Sequence, residues 1–451
     1  MTRKEAEDFI YKSYLKAQKY QDYYAKDCKK RRNDLTYDLI RKKSNIPCVV
    51  VTGSKGKGSV ANMISQILQT KYTVGLMTSP HIVDFCERFR INGGKISDDN
   101  FVKQVLRIQP EIEAIDARIP KDVCISPMGI QTYLALNYFD DMDTGFNVFE
   151  CGKGAKYDDV NNVKHEYAVI NSIFLEHTRE LGETIEEIAE DKAHVITGEQ
   201  KCVYVAEQMP GVLKVIQTRA EKYGICLKLY GWDFWAENIR YTKKGMVFDV
   251  VIGKERYEDI SVPLLGEHQA KNCALALALC KDVLENAILT EKKDDLANLT
   301  LSEEKNGFIS VKLTEIKENL SKLNYPGRME VINNQPLTLL DACINGAGCE
   351  NVLKVLDYLN IKEVTLIVGI PDDKDYAGVV RGMKKVVSDI ILTKSGNPHY
   401  MFTKRQQERL EEEGITTVWT DSVLEAMELA KKKEKAIVIL GTTSVVGEVK
   451  R

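Results

Sequence analysis

Val49-Val50-Val51-Thr52-Gly53-Ser54-Lys55-Gly56-Lys57-Gly58-Ser59-Val60 is the stretch on which the reading of this chain turns. The β-branched run from Cys48 to Val51 predicts a buried strand, and the apolar spacing from Val60 to Leu68 predicts a helix. Between them lies a glycine-rich turn. Strand, glycine-rich loop and helix together form a phosphate cradle, because bare backbone N–H groups and a helix N-terminus both attract anions. Gly53, Gly56 and Gly58 would let the backbone approach the phosphates. Lys57 would reach the outer ones, and Ser59 stands where such a loop offers a hydroxyl to Mg²⁺. The match to G-x-x-x-x-G-K-[ST] is not literal, since Gly58 separates Lys57 from Ser59. An ordinary glycine-rich βα turn is the alternative for this loop taken alone.

The 451 residues are enough for two or three domains with large cores. A net charge of −3 gives no reason to expect nucleic acid or an acidic membrane surface as partner. No apolar run approaches the ~20 residues of a membrane span, and the charged first residues do not read as a signal peptide. The 11 cysteines form no C-x-x-C pair, and several lie in apolar runs, as reduced core thiols of a cytoplasmic protein would.

A helix is expected from Glu5 to about Lys43, its aromatic residues Phe9, Tyr11, Tyr14, Tyr20, Tyr23 and Tyr24 forming a packing face. Tyr72 to Thr78 predicts the next strand. Glu150 and His177 are expected at the ends of apolar strands, Asn147 to Phe149 and Ala168 to Phe174, where α/β sheets bind ligands. Alternation from Gly231 to Ile260 predicts short antiparallel strands, and Gln269 to Asp282 a helix. Lys292 to Ser321 reads as an inserted helical region or linker. From Gly327 the βα alternation restarts, with strands expected at Leu337 to Leu340, Val364 to Val368, Asp389 to Leu392, Thr417 to Trp419 and Ala436 to Leu440. This predicts a second α/β domain with a parallel sheet. The expected division is 1–323 and 324–451.

Several motifs follow one another in a familiar order. They include Thr52 to Ser59, Thr78-Ser79-Pro80-His81 with Glu87-Arg88, Glu150-Cys151-Gly152, and Gly266-Glu267-His268-Gln269 with Asn272. Tyr325-Pro326-Gly327-Arg328 and Val446-Gly447-Glu448-Val449 continue the series. Together they resemble the folylpolyglutamate synthase/dihydrofolate synthase family of the Mur ligase superfamily. The resemblance implies a P-loop-type central domain with a parallel sheet and a small antiparallel β subregion, then a Rossmann-like α/β domain. It implies a ligase that uses ATP to activate a carboxylate as an acyl phosphate and joins it to an amino acid or amine. It also implies two Mg²⁺ ions, the first bound by Ser59 and the second by Ser79, Glu150 and His177. Asn272 would meet adenine, Asp341 the ribose, and Arg328 the phosphates once the domains close. The lysine matching Lys192 is often carbamylated in the family. Read without the family, Lys192 in its acidic helix is an i,i+4 ion-pair lysine, and Arg328 is equally a domain-boundary salt bridge. A monomer acting on small-molecule carboxylate and amine substrates is expected.

The chain also departs from the family. Where the family reads D-G-A-H-N, this chain has Asp341-Ala342-Cys343-Ile344-Asn345, so Ile344 replaces a histidine of the amino-acid side. Lys55 replaces an asparagine of the loop, and Lys156 adds a further cation expected near the nucleotide. A weak or absent folate-plus-glutamate activity and a different amine are expected. A Mur-type ligase for a non-folate carboxylate, such as a cell-wall or peptide precursor, is one alternative. A catalytically silent nucleotide-binding protein is another.

Overall fold

The computed structural model describes residues 1–20, 31–43, 45–242, 245–294 and 307–451. The P-loop strand β1 (Cys48–Thr52) lies inside an eight-stranded sheet with β2 (Val74–Met77), β3 (Phe89–Ile91), β4 (Gly94–Lys95), β5 (Phe146–Glu150), β6 (Tyr167–Ile170), β7 (Cys202–Val205) and β8 (Leu227–Leu229). The strand order is β4-β3-β2-β5-β1-β6-β7-β8. β1 pairs in parallel with β5 and β6, so all five of its residues are buried and it reads as one unbroken apolar run. Val49 and Val51 face the helices Lys57–Leu68 and Glu267–Asp294, whereas Cys48 and Val50 face Pro127–Asp141 and the N-terminal helices. β3 and β4 are a short antiparallel addition that the sequence analysis missed.

The N-terminal region differs from the single helix expected. Helices span Arg3–Gln18 and Asp34–Lys43, and Tyr23 and Tyr24 lie outside the described residues. The packing face of the first helix is Ala6, Phe9, Ile10, Ser13 and Ala17, with Tyr11 edge-on to Phe85, while Tyr14 and Tyr20 are exposed. Helical period, not aromaticity, decides which side chains turn inward.

The antiparallel subregion is a three-stranded sheet of β9 (Phe234–Thr242), β10 (Gly245–Ile252) and β11 (Glu255–Val262), with β10 in the middle. The helix beside it runs well past the expected Asp282, to Asp294. Of the segment expected to be an insertion, Gly307–Ser321 is helical.

The second α/β domain holds β12 (Glu330–Asn334), β13 (Leu337–Asp341), β14 (Val364–Gly369), β15 (Val387–Leu392), β16 (Val418–Trp419) and β17 (Ala436–Gly441). Their order is β12-β13-β17-β14-β15-β16. All neighbours are parallel except β12 and β13, so the sheet is not purely parallel as expected. β12 is a half-exposed edge strand with two terminal asparagines, which hides the apolar signal of a strand. The last helix, Thr443–Lys450, lies against the first domain: a Cβ on Gly447 would stand 2.3 Å from the Ile82 carbonyl oxygen. The side chain of Val446 similarly crowds Gly327.

Asp159 ties the helix Asp34–Lys43 to the core. Its Oδ1 accepts the Thr36 hydroxyl at 2.6 Å, and it is buried. Burial, helped by the Asp158 carboxylate, pushes its pKa from 3.8 to about 7. Between those two values the folded chain holds a proton that the unfolded chain has released, so stability falls as pH rises through that window. Asp159→Asn keeps the acceptor and removes the titration. Its Tm should therefore decline less than that of the wild type between pH 5 and pH 8. Identical pH slopes in thermal melts would refute this assignment.

Candidate active site

The glycine-rich loop is held from outside by polar side chains that occupy the space its missing Cβ atoms leave. Gly56 precedes the helix in the left-handed region, at φ +77°, and a Cβ there would stand 2.5 Å from Asn171 Nδ2. Asn171 follows β6, donates to Asn272 Oδ1 at 3.0 Å and packs on Gly53. Asn272 donates in turn to Gln269 Oε1 at 3.1 Å. Asn272 therefore braces the loop, whatever it contributes to base recognition. Tyr325 caps Gly58 in the same way.

Two ammonium groups converge on one carbonyl. Lys57 Nζ donates to Gly53 O at 2.9 Å, and Lys192 Nζ donates to the same oxygen at 3.0 Å. Lys192 is fully buried, donates also to Lys153 O and pairs with Glu176 Oε1 at 3.2 Å. Its partner thus comes from the loop after β6, not from its own helix, which overturns the i,i+4 reading. Burial first, then the nearby Lys57 charge, pull its pKa down to about 8.

A cavity of about 420 Å³ opens over this loop and is walled by both α/β domains. Ser59, Ser79 and Glu150 line it. Glu150 ends β5 as expected, is buried, and accepts the Ser79 N–H at 2.9 Å; burial pushes its pKa up. The Ser59 hydroxyl is buried and has no hydrogen-bond partner among the described residues. A buried carboxylate and an unsatisfied hydroxyl lining one cavity suit a hard divalent cation, so these residues fit Mg²⁺. His177 departs from expectation. β6 stops at Ile170, because Asn171 turns to the loop glycines, and His177 sits exposed on the connection beyond, at φ +48° and outside the cavity wall. Its Nδ1 is 4.0 Å from Glu180 Oε2.

The second domain contributes Arg328, Asp341 and Ile344 to the cavity. No carboxylate lies within 4.0 Å of Arg328 among the described residues, so it is not the boundary salt bridge; its guanidinium stands 5.1 Å from the Tyr325 ring centroid. Asp341 ends β13 and accepts the Met329 N–H at 2.8 Å, and burial pushes its pKa up. Lys55 reaches across from the loop to Asn345 Oδ1 at 3.3 Å. Lys156 does not join this wall; it is exposed, with its ammonium over Tyr157.

Residues 51–280 match the Mur ligase middle domain. The chain belongs to the Mur ligase family. The dihydrofolate synthase/folylpolyglutamate synthase of Bacillus subtilis is 28% identical over 93% of this ligase and 94% of its own length. A Mycobacterium tuberculosis folylpolyglutamate synthase complexed with ADP shares the fold at TM-score 0.82, with 22% identity over 99% of this chain and 98% of that one. A folylpolyglutamate synthase complex with AMPPCP and folate superposes at TM-score 0.77, with 25% identity over 100% and 99%. This Mur ligase is an ATP-dependent acid–amino acid ligase of the folylpolyglutamate synthase type. Among its described residues no helix is long and apolar enough to cross a membrane.

Asn171, Glu176 and Tyr325 were not among the site residues expected. An asparagine after an apolar strand reads as a turn residue, and nothing in the sequence marks its contact with a loop some 115 residues earlier. Gly56→Ala tests this bracing. The left-handed φ and the clash with Asn171 should cost about 1–3 kcal/mol, read as a lower Tm and weaker binding of an ATP analogue. A wild-type Tm would mean that the loop relaxes freely.

Proposed function

We propose that this ligase transfers the γ-phosphoryl group of ATP to a substrate carboxylate, displacing ADP, and that an amine then attacks the acyl phosphate and releases phosphate. The observation that supports this best is the single cavity lined by Ser59, Ser79 and Glu150 of the first domain and by Arg328, Asp341 and Ile344 of the second. In it Lys57 and Arg328 offset phosphate charge, and Asp341 binds the ribose. Ser59 would hold one Mg²⁺, and Ser79 and Glu150 would hold a second, with His177 as its further proposed ligand. The ions neutralise the triphosphate when bound. Asn272 serves the adenine from behind the loop.

Lys192 is proposed to act as a carbamate. An amine with a pKa of about 8 is neutral in roughly a tenth of molecules at pH 7, against a negligible fraction for an ordinary lysine. The neutral amine attacks CO₂, forming N–COO⁻ and releasing a proton. The product would relieve the meeting of two ammonium groups at Gly53 O. ¹³C-bicarbonate should give a carbamate NMR signal that Lys192→Ala lacks, and short carboxylates should partly restore activity to that variant. Absence of the signal in wild-type protein at pH 8 refutes the carbamate.

The amine is proposed to differ from glutamate. Ile344 lines the ligation cavity and cannot donate a hydrogen bond. A carboxylate facing it forgoes a charge-assisted bond of roughly 1.5–3 kcal/mol, about one to two powers of ten in affinity. ADP release across a panel of acids and amines should show poor use of glutamate with folate, and Ile344→His should raise it. Efficient folate glutamylation unchanged by that substitution rejects this choice of amine.

A further inference from the structure

Tyr325 lies in the connection between the helix ending at Ser321 and β12, and it is 8% exposed. A Cβ on Gly58 would stand 2.0 Å from its hydroxyl oxygen and 3.3 Å from Glu150 Oε2. The phenol therefore rests on the bare α-carbon of the phosphate loop, beside the Glu150 carboxylate. The Arg328 guanidinium stands 5.1 Å from the centroid of the Tyr325 ring. Arg328 donates to its own Gly327 carbonyl at 3.3 Å.

We infer that Tyr325 is a positioning residue that sets the Arg328 guanidinium against the phosphate loop. The inference rests on the reading of Arg328 as a phosphate-binding cation. The geometry adds a mechanism. A flexible arginine loses rotamer freedom when it meets an anion, and here the ring beside it restricts it beforehand. Because the hydroxyl of that ring touches Gly58, the distance between guanidinium and loop is set by one rigid side chain rather than by the mutual placement of two domains. Tyr325 itself need not touch the nucleotide.

A clamp on the outermost phosphate favours a triphosphate over a diphosphate, whereas a purely structural residue affects both alike. The test is calorimetric binding of a non-hydrolysable ATP analogue and of ADP to wild type, Tyr325→Leu, Arg328→Ala and the double variant, with Tm measured for each. Arg328→Ala should lower the triphosphate-to-diphosphate affinity ratio by about ten-fold or more, the effect of a charge-assisted bond. Tyr325→Leu should lower it by about three- to ten-fold, and the double variant should fall no further than Arg328→Ala. An unchanged ratio in Tyr325→Leu, or a double variant showing the product of both losses, overturns the inference while leaving the role of Arg328 intact. An unchanged ratio in Arg328→Ala instead refutes the phosphate role of Arg328, and the inference falls with it.

Discussion

Two ammonium groups donate to one backbone oxygen, and the site is arranged around that meeting. Lys57 and Lys192 both reach Gly53 O. Like charges this close repel, and burial of Lys192 sharpens the effect. The loop tolerates them because backbone carbonyls of Gly53, Ser54 and Lys153 and the Glu176 carboxylate take the donors. The remaining positive potential lies under the cavity, where an anion is the natural complement. Loop geometry, the buried helix lysine and the carboxylate at the end of β5 are thus parts of one electrostatic arrangement.

The glycines of the loop are needed for a related reason. Each of Gly53, Gly56 and Gly58 has a neighbour where its Cβ would be: Asn171 at the first two and Tyr325 at the third. The loop backbone faces the cavity with few side chains of its own, and its shape comes from residues distant in sequence. A second consequence is mechanical. β6, the helix beginning at Glu267 and the connection to the second domain all converge on the loop, so displacement of any of them reaches it.

Much of this was legible in the sequence. The unbroken apolar run at β1 and the largely apolar runs at β13, β14 and β17 identify buried strands of parallel pairs, because such strands meet helices on both faces. The loop lysine and serine stood out from local pattern, whereas Glu150 and the arginine after Gly327 were singled out by the family resemblance; all four line one cavity. The failures share a cause. β12 at a sheet edge lacks a continuous apolar signal, and β6 ends where Asn171 finds tertiary partners. Lys192 was read against its helix neighbours, yet its partners are Gly53, Lys153 and Glu176. Local sequence reports faces and periods; it does not report which distant oxygen a side chain will meet.

One approach between the two domains is made by backbone rather than by side chains. Gly447 presents its α-carbon to the Ile82 carbonyl oxygen, with no room for a methyl group between them. A contact of this kind has no cushion: long side chains can re-pack when a joint shifts, and a bare peptide surface cannot. The seam therefore behaves as a stop with a definite setting. A side chain at 447 would act as a shim whose thickness grows from alanine to serine to valine. The gap above the phosphate loop thereby becomes a dimension adjustable at one residue that touches neither substrate.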